Sequence, residues 1–493
     1  MINSRTLFEL IHSLSRNEKG YFSRYVRGIS SGRGSNYLQL FKAIESQKEF
    51  DETKLRKALS GVTFVSYLSR EKNYLYQLIM KSLGAYHFES DMEIRVNGMF
   101  TAVRILFNRG LLDHCEKKLR RINKIIGTNL LDSHRQELIR WENKVALAKV
   151  DIKTIRRNKE LQEENIKLIS NHAAYVQLYA DLYSVIMQSG TEIPKSGHRI
   201  FRKYIGQPLL QSEKNALTVH AKLYFNHIHT VCRDILGEHT QALKYSGRRL
   251  ELLEQNPQCL VTDPQQFINA MNNHIEILNT LSRFDEALAY CDQLRVSVVD
   301  SFYLEARRFV RVSLLELMIR QKRNDHIGNT ASVKRIEEGF WRFGELVRID
   351  EKIQICFFIS YSYFRQSRLH EALRWNSKIL NVTRDIKEDF QIASRLLNLV
   401  IHYELGNHDH LVSALNSSAH FISKKERSFR FEKVFIGFIR KKLLNTHDKK
   451  GLLIAFTELR KELDIISKNP FEKKALEYFD FISWVEEKMV PYA

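Results

Sequence analysis

Along most of the chain, apolar residues recur every three or four positions, the spacing of one face of an α-helix. Phe309, Val312, Leu315 and Ile319 follow it, as do Phe390, Ala393, Leu397 and Ile401. No run alternates at period two for long enough to demand a strand. Helix starts are signalled as well. Asp51 stands before Glu52-Thr53-Lys54, and Asn469-Pro470 opens a final helix expected over Phe471–Met489. The first ninety residues predict three helices, Tyr37–Gln47, Asp51–Leu59 and Ser66–Tyr86, behind a Gly/Ser-rich stretch from Gly28 to Asn36.

Chain reversals are expected near Gly110, Asp151, Gly190, Gly237, Ser282, Asn324, Ser367, Gly406 and Asn445, at intervals of 39 to 47 residues. Each interval holds two helices. A period of this length marks stacked helical hairpins, none of which buries its apolar face alone.

Three reversals share finer detail. They are Gly237-Glu238-His239-Thr240-Gln241-Ala242-Leu243, Ser282-Arg283-Phe284-Asp285-Glu286-Ala287-Leu288 and Ser367-Arg368-Leu369-His370-Glu371-Ala372-Leu373. The small first residue permits a tight turn, and the alanine lets the second helix pack closely on the first. This form resembles the tetratricopeptide (TPR) repeat, and Ile359, Ser360 and Tyr363 fall where that family shows Leu, Gly and Tyr. The resemblance covers about residues 217–423, with degenerate extensions on both sides. The period exceeds the family's 34 residues, and its Trp and closing Pro are mostly missing, Pro257 being the one candidate. The resemblance implies an all-α fold, a right-handed superhelical array of TPR-like hairpins. The expected organisation is a helical module over 1–90, the array over 91–470 and a C-terminal capping helix over 471–493.

Composition agrees. The 493 residues include only 6 Pro and 20 Gly, against average usage of about 5% and about 7%; both residues interrupt helices. Lys and Arg number 77 against 57 Asp and Glu, a net charge of +20. That excess suits acidic partners, but it is dispersed along the chain and forms no basic tail. The cysteines, Cys115, Cys232, Cys259, Cys291 and Cys356, are odd in number and form no CxxC pair. They read as small buried hydrophobes in a reducing compartment. The first twenty residues lack the apolar core of a signal peptide. The most apolar run, Ile353 to Phe364, falls far short of a bilayer span. A cytoplasmic protein with no membrane insertion is expected.

Candidate chemistry is sparse. Gly28, Gly32 and Gly34 precede a helix but lack the GK[ST] of a phosphate-binding loop. His227 and His229, with His220 nearby, diverge by about 200° on a helix and cannot grip one ion from that element. His408, Asp409 and His410 sit at a turn near His402. The paired acids Asp285-Glu286 and Glu163-Glu164 read as solvated charges rather than an acid/base pair. No catalytic set, cofactor or metal is expected.

Two surfaces remain. Lys117, Arg120, Arg121 and Lys124 occupy about 100° of a helical wheel, opposite Cys115, Leu119, Ile122 and Ile126. This basic stripe is either a polyanion site or a solvated face. A second basic group, Lys424, Lys425, Arg427, Arg430, Lys433 and Arg440-Lys441-Lys442, is spread around its helix. The TPR resemblance supplies the other surface, since first helices line the family's concave groove. It places Asn269, Asn272, Asn273, Glu276 and Asn279 there, with Phe357, Phe358, Tyr361 and Phe364 in a later unit; packing between repeats competes for the aromatic set. The expected function is a non-enzymatic scaffold binding a protein or peptide partner in that groove, with nucleic-acid association as the alternative. Partner identity and oligomeric state stay open.

Overall fold

The computed structural model describes residues 3–29, 34–47, 49–61, 67–189, 198–297, 301–382, 386–424, 429–446, 448–469, 472 and 479–490. Gly32, Ser66, Gly190, Lys425, Arg427 and Pro470 lie outside these residues. Among those described, secondary structure is entirely helical. The chain divides into two compact units, 1–273 and 274–493.

The first unit begins with α1 (Ser4–Ser13), α2 (Arg16–Ile29), α3 (Gly34–Glu45), α4 (Glu52–Ala58) and α5 (Leu68–His87). Leu7, Phe22, Phe41, Leu55 and Leu75 enclose a core of their own here. Asp51 caps α4 as expected, accepting from the Thr53 and Lys54 amides. Lys72, 4% exposed, donates to Glu52 and to the Ser4 hydroxyl, which ties α5 to α4 and α1. Helices α6 (Met92–Asn108), α7 (Leu112–Asn129) and α8 (Arg135–Lys149) share a second cluster around Val103, Ile122 and Trp141. Then come α9 (Ile152–Ser189), α10 (His198–Ile205), α11 (Val219–Ile235), α12 (His239–Gln255) and α13 (Gln258–Thr262). The unit boundary falls inside α14 (Pro264–Thr280).

The second unit continues with α15 (Phe284–Val296), α16 (Phe302–Lys322), α17 (His326–Ala331), α18 (Val333–Phe343), α19 (Ile349–Arg365) and α20 (Leu369–Leu380). It closes with α21 (Glu388–Glu404), α22 (His408–Ser423), α23 (Arg430–Phe438), α24 (Lys449–Ser467) and α25 (Phe481–Met489). One hydrophobic core runs from Ala306 through Trp375 and Leu397 to Val485. Buried Glu316 accepts from Arg295, Arg320 and Arg335 and from the Ser332 hydroxyl, so its charge is compensated inside that unit.

The reversals share one geometry. Gly110, Val150, Gly237, Ser282, Asn324, Ser367 and Gly406 all have left-handed φ, between 56° and 79°. In each case the next α-helix starts two residues later. The amide after the left-handed residue reaches back to a carbonyl five residues earlier, as Arg283 N does to Leu278 O at 2.9 Å and Arg368 N to Tyr363 O at 3.0 Å. The left-handed residue's own amide closes a shorter ring, so orphan carbonyls of the ending helix are satisfied. The intervening residue is held near φ −85° and ψ 65°, as at Leu111, Arg283 and Arg368. Leu130 makes the same turn before a short 3₁₀ stretch that leads into α8.

Five residues beyond the left-handed position, Cys115, Ala242, Ala287, Asn329, Ala372 and Leu411 are all 0–1% exposed. The alanines of the three resembling units therefore lie at helix–helix contacts. Ser360, also fully buried, donates to Ala372 O at 2.8 Å and closes α19 onto α20. Asn329 occupies the alanine position with a polar group and donates to Leu317 O and the Ser362 hydroxyl, while its Oδ1 has no hydrogen-bond partner.

Three sequence expectations are corrected. The second reversal pivots on Val150 rather than Asp151, which accepts from the Thr154 amide at the start of α9. The final helix expected over Phe471–Met489 is broken at 479 and 480, and Phe471 itself lies outside the described residues. Phe479 and Asp480 are non-helical, and Asp480 caps α25 by accepting from the Ser483 amide. The N-terminal residues form two further helices, α1 and α2, beyond the three expected.

Val150 is a β-branched residue in the left-handed region and is 76% exposed. Val150→Gly relieves that backbone at no packing cost. It is expected to raise stability by about 1 kcal/mol in thermal melts; an unchanged or lowered melting temperature would count against the turn geometry.

Candidate functional site

Helix α14 carries the asparagine set, and the structure splits it. Asn269 and Glu276 are exposed. Asn273 is half-buried and its Nδ2 lies 3.1 Å from His227 Nε2 on α11. Asn272 and Asn279 are buried, each with an Oδ1 that has no hydrogen-bond partner. Helical geometry explains the division. Residues 272, 275 and 279 share the inward face with Ile268 and Met271, whereas 269, 273 and 276 turn toward its edge.

Behind Asn273 lies a polar group that no sequence motif announced. Arg249 on α12 is 4% exposed, and its Nε and Nη1 have no hydrogen-bond partner. Burial holds its guanidinium at about 10, with Tyr179, Tyr224 and Asp263 pulling the other way. His227 sits beside it, packed on Tyr179 with ring centroids 4.7 Å apart. Burial first, and then the Arg249 charge, hold the His227 ring well below its ordinary range, so it is neutral. A signal for Arg249 did exist: it falls seven residues after Ala242, on the apolar stripe with Ser246, Leu250 and Leu253.

The aromatic set is corrected. Phe357 has no exposed surface, and Tyr361 is 5% exposed. Phe357 packs on Phe358 and Phe390, while Tyr361 and Phe364 pack on Phe479. Helix α19 is apolar nearly all round and is enclosed accordingly. These rings are core, and none offers a surface to a partner in this structure.

The basic stripe lies where its wheel placed it. Lys117, Arg120, Arg121 and Lys124 are exposed, and Cys115, Leu119, Ile122 and Ile126 are buried at 0–2%. Arg120 pairs with Glu116 at 3.7 Å and borders a cleft of about 240 Å³ between α7, α8 and α9. Glu142 and Arg157 face each other there at 3.3 Å, and burial pushes the Glu142 carboxyl above its usual range. Lys149 bonds Asp113 and Glu116 and is pushed up to about 12 by them.

The histidines do not converge. His229 bonds Leu210 O and stacks on Tyr245, away from His227. His402 stacks on His410 with centroids 5.6 Å apart. Among the described residues, no group of three or more His, Cys, Asp or Glu could hold a metal ion. The five cysteines are buried and free. Among the described residues no helix is long and apolar enough to cross a membrane.

No family model matches the chain, and no curated protein matches it. Among solved structures, one titled as the crystal structure of the APC/C hetero-tetramer Cut9–Hcn1 is similar over 96% of this chain and 98% of that chain, at 11% identity and a TM-score of 0.34. So loose an overlay adds nothing to the hairpins themselves. Among the described residues the chain is all-α and built of repeated helical hairpins, as its reversals and buried alanines display.

The asparagines therefore differ in what they do for the fold. Asn273→Ala strands a buried histidine nitrogen and is expected to cost about 1–3 kcal/mol. Asn272→Ala removes a buried oxygen that has no partner and is expected to be neutral or stabilising. Melting both single variants checks this, and a reversed order would overturn the assignment.

Proposed function

We propose that the chain is a non-catalytic scaffold that binds an extended, acidic segment of another protein along α14 and α12. The observation that carries this reading is Arg249, a buried guanidinium with two nitrogens lacking acceptors. A buried cation with two unmet donors is costly even with Asp263 pulling on it, and a carboxylate brought by a partner is the chemical complement of those donors. On α14, the exposed Asn269 and the half-buried Asn273 carry groups that can donate and accept at once, and Asn273 reaches His227, the neighbour of Arg249. The net charge of +20 favours approach of an acidic chain. The TPR resemblance supports a protein partner in general, and a cytoplasmic setting agrees with five reduced, buried cysteines.

The test is affinity capture from nuclease-treated lysate. Wild-type protein and the double variant Asn269→Ala with Arg249→Met are compared after both are shown to fold. The double variant is expected to lose a partner that the wild type recovers, by about tenfold or more for two lost hydrogen bonds. Reproducible failure of the wild type to recover any protein, or equal recovery by both, would sink the proposal.

A second reading is favoured by one specific feature, the exposed stripe Lys117, Arg120, Arg121 and Lys124. Four phosphate contacts would give a log–log salt slope of about −3 on single-stranded RNA. Changing all four to Glu should abolish that binding while leaving the melt nearly unchanged. No binding by the wild type at low salt would eliminate this reading.

A further inference from the structure

The longest helix described, α9, spans 38 residues, about 57 Å at 1.5 Å per residue. Its inward face is clear: Asn158, Asn165, Tyr175 and Leu182 are 0–2% exposed. Beside that face runs a second apolar row that stays open to solvent, with Tyr183 6.2 Å, ring centroid to centroid, from Tyr179 of the same helix. Ile166 is 51% exposed, Ile169 38%, Val176 38%, Tyr183 51% and Met187 58%. Ala173 and Ala180 stand between them, exposed as well.

Scattered exposed apolar residues need no explanation. These seven are not scattered. Their spacing is 3-4-3-4-3-4 over three heptads, the seam of a two-stranded coiled coil. The inward face follows its own spacing at 158, 165, 172, 179 and 186, so the exposed seam is not a by-product of intramolecular packing.

Side-chain size selects the partner. Ile166, Ala173, Ala180 and Met187 hold one heptad position; Ile169, Val176 and Tyr183 hold the other. A parallel pair of identical helices would set Ala173 on Ala173 and Ala180 on Ala180, leaving gaps, and would crowd Tyr183 against Tyr183. An antiparallel pair sets one position against the other. Ile166 then faces Tyr183, Ile169 faces Ala180 and Ala173 faces Val176, so every alanine meets a larger residue. The flanking row Ser170, Gln177 and Ser184 brings no like charges together. The geometry points to a second copy of this chain as the occupant, packed antiparallel along α9 about a two-fold axis between Ala174 and Tyr175.

The seam is about 32 Å long and about 10 Å wide, a footprint on the order of 300 Å² per copy, below the roughly 800 Å² of a standard interface. The dimer is therefore weak and concentration-dependent. With +20 on each chain, salt strengthens it by screening repulsion, opposite in sign to polyanion binding.

Sedimentation equilibrium of the full chain tests this from about 1 to about 200 μM, a range that brackets weak association. The mass is expected to rise from 58.1 kDa toward twice that value, and further at higher salt. Ile169→Lys, at an exposed position, should leave the melt intact and weaken association at least about tenfold. Adding Ala180→Glu to Ile169→Lys sets opposite charges face to face only in the antiparallel register, and should restore the dimer. A monomer throughout the range, or a dimer indifferent to Ile169→Lys, overturns the proposal. Loss without rescue by the second change overturns the antiparallel pairing.

Discussion

Each reversal depends on one residue held in the left-handed region. The amide after it reaches back five residues, the following residue is fixed near φ −85°, and a new helix starts at once. Because the turn is rigid, the position five residues on points into the preceding helix at six of these seven reversals, Ile155 after Val150 being only partly buried. That is why Cys115, Ala242, Ala287, Asn329, Ala372 and Leu411 are all buried despite their different chemistry. Glycine meets the backbone requirement freely at 110, 237 and 406, whereas Ser282, Asn324, Ser367 and Val150 meet it under strain of about 1 kcal/mol each. The hairpin packing must offset that strain, and position five is fully buried after Ser282, Asn324 and Ser367.

Polar groups inside the helix stacks fall into two kinds. Glu316, Asn376 and Ser394 are matched by partners within the second unit; Asn376 donates to Ser394 O at 2.9 Å and accepts from its hydroxyl at 2.6 Å. Such matched groups cost little and penalise misregistered packing, because any slip would leave them bare. Arg249 is of the other kind, with a buried charge and two unmatched nitrogens. On the proposed reading, these unmet donors are where a complementary anion from a partner would be held most strongly.

Much of this was legible in the chain. Gly110, Gly237, Ser282, Asn324, Ser367 and Gly406 declared themselves as turns because small or turn-forming residues interrupt apolar periodicity. The two-faced character of α7 followed from a wheel. Val150 escaped by one position because a β-branched residue carries no turn signal. The run from Ile353 to Phe364 held its own answer: a helix apolar on every side has no face to spare for a ligand, so Phe357 and Tyr361 belong to the core. The division of the asparagines between edge and interior turned on one or two residues of helical register, which a period longer than the family's leaves unfixed. Arg249 is hard to read from the sequence because a cation on an apolar stripe looks like a neighbour of Arg248 unless the stripe is followed from Ala242.

The two units also differ in how their cores are joined. In the second, a single core links α16 to α25 through the enclosed helix α19. In the first, the cluster around Leu7 and Ile79 and that around Val96 and Val145 are separate. Thermal fluctuations are therefore partitioned unequally. The second unit gains little by opening one hairpin, because α19 would lose neighbours on every side, and it should exchange its deepest amide protons only through global opening. The first can release its N-terminal five helices as one cooperative block while the rest keeps its packing, which gives the chain an end that loosens before its other end does.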